Sequence, residues 1–270
     1  MSTLSLSSVA LPAVLLGACA GAPLRQPDQV EIAAETEVTI GGCAVGDIDP
    51  NQPGDEIVAV SSDGAVHLVS WNGNGWQHQV VHQCRGEQIQ VTIGDADPNR
   101  PGLEVVTVGM AEGPEDPSGA GAVWVHGLES DGWWVEQALG AERLVHGVAV
   151  HDGGIVAAGF GASAWRLVRG EKGWNVEDIS DLPGDGKAVV DLGDSVAIGC
   201  TDGSLVRVRR RQGLWRLNLM DKQDSGRSRL DTDGTAILTA NDDGSLVVVR
   251  EDGSREVYRE SQKLRGAVLG

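Results

Sequence analysis

Two short loops carry the residues best suited to do chemistry. The first reads Gly46-Asp47-Ile48-Asp49-Pro50-Asn51-Gln52-Pro53-Gly54-Asp55-Glu56, and the second Gly94-Asp95-Ala96-Asp97-Pro98-Asn99-Arg100-Pro101-Gly102-Leu103-Glu104. Asp-x-Asp-x-Asn in a tight loop aims three side-chain oxygens at one point, as at the opening of a calcium-binding loop. A hard cation takes about six to eight oxygens at about 2.3–2.6 Å. Asp47, Asp49 and Asn51 supply the first three, and Asp55 or Glu56 with a backbone carbonyl completes the shell. Asp95, Asp97 and Asn99 repeat the pattern; Leu103 stands in the place of Asp55, so Glu104 must serve. Calcium held this way orders a loop and does not by itself make an enzyme. The alternative needs no metal: the aspartates cap backbone N–H groups in Asx-turns while Pro-Gly makes the bend.

The elements that position these loops repeat. A small turn cluster precedes an alternating apolar strand five times, at Ser62-Asp63-Gly64, Ala120-Gly121, Phe160-Gly161, Thr201-Asp202-Gly203 and Asp242-Asp243-Gly244. A second marker keeps step: a Gly- or Asn-rich hairpin turn, then an aromatic, at Trp76, Trp133 or Trp134, Trp174, Trp215 and Tyr258. The period is about 41 residues, lengthened once by a Pro/Gly-rich insertion at 112–119. In the second repeat the pattern predicts strands over 90–94, 104–108, 122–126 and 133–137. Short strands at close spacing without helical periodicity mean an all-β chain, and four per repeat mean β-propeller blades. The repeats run about 38–84, 85–141, 142–183, 184–223 and 224–262, with a partial one over 263–270 and a lone outer strand over 29–33. The expectation is a β-propeller of four-stranded blades with five full repeats, a fragment of a ring of six or more. The alternative is a five-bladed ring with an irregularly paired last strand. The recurring aromatics are expected to pack between blades.

These repeats resemble the FG-GAP/VCBS type of propeller, whose inter-strand loops carry Asp-x-Asp-x-Asp-Gly calcium sites. The Asp-x-Asp-Pro-Asn-x-Pro-Gly-x-Glu form is also similar to loops in the propellers of rhamnogalacturonan lyases. The resemblance implies structural calcium and either a binding module or a polysaccharide-active enzyme. Pro50 and Pro98 depart from the pattern, as do Pro53-Gly54 and Pro101-Gly102, and the later repeats lack the motif, so two sites are expected.

Residues 1–19 hold an uncharged apolar stretch, Val9–Leu16, too short to span a bilayer and suited to a signal h-region. It ends in Leu16-Gly17-Ala18-Cys19, which resembles the bacterial lipobox. That resemblance implies cleavage before Cys19, lipidation of its thiol, export and anchoring at the cell envelope. Residues 20–29 then form a tether, and 30–270 the propeller domain. Cys43 and Cys84 either pair in an oxidising compartment or, with Cys200, serve as small buried hydrophobes.

Lys and Arg number 21 against 39 Asp and Glu, for a net charge of −18, the wrong sign for a nucleic-acid binder. The sequence has no G-x-S-x-G nucleophile elbow and no phosphate-binding P-loop. His78 and His82 sit four apart, but in a strand that separates them by roughly 13 Å, and the other histidines have no spacing partner. The run Arg207, Arg209, Arg210, Arg211 and Arg216 is either a solvated hairpin face paired with acids or a contact for an anionic glycan or acidic partner. The leading reading is a non-catalytic, membrane-anchored module for a protein or glycan partner, with the 111–121 loop a contact candidate. The rivals are a lyase-like polysaccharide enzyme and a quinone-dependent dehydrogenase.

Overall fold

The structure, a computed structural model, describes residues 15–16, 34–52, 54–113, 119–179, 181–259 and 268–269, and among these no helix occurs. Five four-stranded antiparallel meanders follow one another in chain order. Blade 1 comprises Ile40–Gly46, Glu56–Ser61, Ala65–Trp71 and Trp76–Gln83. Blade 2 comprises Gln88–Gly94, Glu104–Met110, Gly121–Glu129 and Gly132–Ala141. Blade 3 comprises Val145–Val150, Ile155–Gly159, Ser163–Gly170 and Gly173–Ile179. Blade 4 comprises Gly186–Asp191, Val196–Cys200, Ser204–Arg211 and Leu214–Lys222. Blade 5 comprises Arg227–Thr232, Ala236–Asn241, Ser245–Arg250 and Arg255–Arg259. The first strands of successive blades pack side by side around the axis. The chain is a β-propeller.

Period-2 alternation explains the seams. In blade 2, Val105 faces blade 1 with Val58, Val60 and Leu68, while its neighbour Val106 faces blade 3 with Val145 and Ile155. Like clusters join blades 3 and 4, and 4 and 5. Each fully buried Val or Ile contributes roughly 1.5–3 kcal/mol, so these seams hold the blades together. Trp174 and Trp215 pack against two of them, as expected for the recurring aromatics. Tyr258 does not: its strand is exposed throughout, and its hydroxyl donates to Glu256 at 2.8 Å.

The turn glycines are needed on two counts. Gly203 has φ +85°, and a Cβ there would lie 2.0 Å from the Gln223 carbonyl oxygen. In the second repeat the left-handed turn residue is Gly119, at φ 64°, while Gly121 begins the strand. Every first strand also carries a β-bulge at its second residue: Gly41, Ile89, His146, Lys187 and Ser228 lie outside the paired register. Arg229, next to the last of these, donates from Nη2 to the carbonyls of Gly41 (3.0 Å) and Ile89 (3.4 Å), tying blade 5 to blades 1 and 2. Val268–Leu269 lies beside Arg227–Thr232 and pairs in parallel with Leu15–Leu16. The expected lipidation site Cys19, the tether, the 29–33 strand and residues 114–118 of the insertion lie outside the described residues. Cys43, Cys84 and Cys200 are free thiols, and burial pushes Cys84 and Cys200 up to about 12.

Candidate functional site

A meander alternates its connections between the two ends of a blade. The loops joining first to second strands therefore share one end of the propeller with the turns joining third to fourth strands. Both acidic loops sit at that end, on blades 1 and 2. The base of the 112–119 insertion, where Ala111 N–H donates to the Ala120 carbonyl (2.9 Å), sits at the other.

The two acidic loops share one internal wiring. In the first, the backbone N–H groups of Ile48 (2.8 Å) and Asp49 (3.1 Å) donate to one oxygen of buried Glu56. Asp49 Oδ1 accepts from the Asn51 N–H and Nδ2, both at 3.0 Å, and Gln52 N–H closes the turn on the Asp49 carbonyl at 2.9 Å. In the second, Ala96 (2.9 Å) and Asp97 (3.1 Å) donate to Glu104, and Asp97 Oδ1 accepts from Asn99 N–H at 3.2 Å. Burial pushes the Glu104 carboxyl up, and the charges of Asp95 and Asp97 add to this; the two N–H donors oppose it. Asp47, Asp55 and Asp95 are exposed and point to no shared centre with these groups.

The second loop is also ion-paired. The Asp97 carboxylate, 1% exposed, faces Arg169 Nε at 3.3 Å and Arg100 Nε at 3.6 Å. Those arginines continue to Glu136 (2.6 Å) and Glu129 (2.5 Å). Each guanidinium lies over a tryptophan ring, Arg100 over Trp134 at 4.1 Å and Arg169 over Trp174 at 5.4 Å. The residues present do not fit a calcium cage. The glutamates already serve backbone donors, the Asn amide nitrogens face the Asp oxygens, and two guanidiniums hold Asp97. Among the described residues no group of three or more His, Cys, Asp or Glu converges as a metal site would require.

A second cluster lies on the axis, where bulges re-aim side chains. His146 Nδ1–H donates to the Lys187 carbonyl at 2.7 Å, leaving the lone pair on Nε2. Burial, then the charge of Arg229, holds His146 down at about 4, so it is neutral at pH 7. Lys187 Nζ pairs with Asp242 at 3.1 Å, and Ser228 Oγ donates to the same carboxylate at 2.5 Å. The sequence offered no signal for this cluster, because its members lie about one repeat apart.

The remaining histidines have partners that their spacing hid. Ser61 Oγ–H donates to Asp63 at 2.5 Å, so the oxygen accepts from His67 Nε2–H at 3.1 Å. His67 Nδ1 then accepts from His78 Nε2–H at 2.9 Å. His82 lies against His126 across the seam between blades 1 and 2, with ring centroids 5.4 Å apart. His126, which meets Thr107 Oγ1 at 3.1 Å, is held down at about 3 by burial first and His82 second. His78 and His82 thus point to different partners and share no ligand.

No family model matches the chain, and no curated protein matches it. Solved structures do. The WD40 β-propeller domain of Doa1 matches at 13% identity with TM-score 0.58, over 86% of this chain and 72% of that one. A putative 6-phosphogluconolactonase from Bacteroides uniformis matches at 14% identity with TM-score 0.58, over 83% and 73%. The computationally designed Ika8 protein matches at 14% identity with TM-score 0.57, and the match covers 84% of this chain but only 64% of that one. At such identities the likeness shows the fold alone.

Proposed function

We propose that this chain is a non-catalytic binding or scaffold module, held at the bacterial cell envelope by a lipid on Cys19. It docks a protein or glycan partner through the end of the propeller that carries the two acidic loops. One observation carries this reading: both loops are locked by a buried glutamate taking two backbone N–H donors. A locked loop presents exposed Asp47, Asp55 and Asp95 from a fixed frame, and a partner that binds there loses little loop entropy on docking. Loops on a rigid scaffold are where recognition concentrates. The test is saturable binding of the soluble chain to envelope fractions and to a glycan array. Asp47→Lys with Asp55→Lys should abolish binding that Glu142→Lys, exposed at the opposite end of the propeller, leaves intact. Equal binding by both variants would remove the acidic loops from the interface. Labelled fatty acid should enter the wild-type chain and not Cys19→Ser.

The axial cluster favours one second reading, a lyase-like enzyme. Such chemistry needs a base beside groups that neutralise a carboxylate; neutral His146 feels the charges of Arg229 and Lys187, although Asp242 already pairs with Lys187. Formation of an ultraviolet-absorbing unsaturated product from acidic polysaccharides, lost in His146→Gln, would make this reading the better one.

A further inference from the structure

A separate seam, between blades 4 and 5, carries an unexplained concentration of positive charge. Strand alternation sends Arg207 and Arg209 toward blade 5, on the same side of their strand as Leu205, which is buried against Leu230 and Ile237. Above that apolar floor lies a cavity of about 180 Å³ lined by Arg207, Arg209, Arg250, Asn218 and Glu251. On a chain of net charge −18, three guanidiniums converging on one groove run against the overall field.

Two further observations bear on what fills it. The Nε–H donors of Arg207 and Arg209 are buried and have no hydrogen-bond partner. Buried donors are nearly always satisfied, and one that is not marks a place for an acceptor. The carboxylates that do reach these arginines come from the rim. Glu251 meets Arg207 at 2.8 Å and Asp194 meets Arg209 at 2.9 Å, but these acids are 69% and 66% exposed while the arginines are 17% and 21% exposed. Exposed carboxylates give weak pairs that a better acceptor displaces. Guanidinium forks favour oxyanions, where parallel N–H donors each find an oxygen.

We propose that the groove between blades 4 and 5 binds a tetrahedral oxyanion, the phosphate or sulfate group of a ligand. Arg207 and Arg209 are the principal donors, Arg250, which exposed Glu256 meets at 2.9 Å, and Asn218 complete the shell, and Glu251, Asp194 and Glu256 are displaceable stand-ins for the ligand. The groove opens toward the same end of the propeller as the acidic loops but lies on blades 4 and 5, so it shares no residue with the Asp47, Asp55 and Asp95 surface and either assignment can fail without the other.

The test is titration of the full chain with inorganic phosphate, inorganic sulfate and, at matched ionic strength, chloride, read on the arginine Nε–H resonances by nuclear magnetic resonance. Saturable movement of two resonances, lost in Arg207→Gln and Arg209→Gln respectively, is expected with phosphate, sulfate or both, and not with chloride. The preferred anion distinguishes a phosphorylated from a sulfated ligand. Glu251→Gln, at an exposed position that leaves folding intact, should tighten binding about threefold by removing the competing carboxylate. Indistinguishable curves for all three salts would overturn the proposal. So would an unchanged affinity in Glu251→Gln.

Discussion

The two acidic loops have nearly the same sequence and the same backbone wiring, yet they sit in different electrostatic surroundings. Asp49 is half-buried and makes contacts only within its own loop among the bonds described, whereas Asp97 is 1% exposed and faces guanidiniums from its own loop and from blade 3. Two differences produce this. Arg100 stands where the first loop has Gln52, and blade 3 sends Arg169 across the seam. The lesson is that the motif fixes the turn and its glutamate cap, while the neighbouring blade decides what the aspartate costs or contributes.

The largest effect should come from what the loops share. Glu56→Ala and Glu104→Ala each strand two backbone donors, and each should cost about 2–4 kcal/mol by denaturant unfolding. A large cost in one loop and none in the other would break the shared wiring. The aspartates should then separate the loops. Asp97→Asn should cost about 2 kcal/mol, less than the loss of a fully buried pair because its arginines are partly solvated. Asp49→Asn should stay within about 0.5–1 kcal/mol, and equal costs would mean the ion pairs contribute nothing.

A pH profile sharpens the comparison at Glu104. Its folded-state pKa is raised, so the native chain holds that proton more tightly than the unfolded chain does. Its contribution is fully present below the ordinary glutamate value of 4.5 and is lost as pH rises through the folded value. Glu104→Gln should flatten the fall in stability that sets in as pH rises above 4.5; an unaltered slope would place the titration elsewhere. The smallest expected effect is that of calcium. Thermal midpoints in excess calcium and in chelator should agree within about 1 °C. A ligand at 100 times its Kd would add about 2.7 kcal/mol, or several degrees, and a rise of that size would return both loops to metal binding.

The sequence made the blades legible because a strand's turn residues and alternation are local. The strands expected over 104–108 and 122–126 fall inside Glu104–Met110 and Gly121–Glu129. The Asx-turn alternative for both loops was also readable, since Asp49 and Asn51 are two apart, as are Asp97 and Asn99. What could not be read was any contact across a seam. Arg169 reaches Asp97, His82 meets His126, and Arg229 crosses to Gly41 only because the blades pack in a ring. No spacing rule within a strand encodes those distances. The bulges were illegible for a related reason. Gly, Ile, His, Lys and Ser occupy the five positions, so the irregularity belongs to the backbone and has no residue signature.

Those bulges bear on how the ring tolerates change over generations. A residue inserted into or deleted from a regular strand shifts every later side chain to the opposite face. At a bulge the extra residue is already outside the ladder, so removing it would leave the rest of the strand in phase. Gly41, Ile89, His146, Lys187 and Ser228 therefore mark five places beside the axis where chain length can vary by one while both seams of the blade keep their apolar partners. A lineage could reshape the inner strands there, blade by blade, without first redesigning a core.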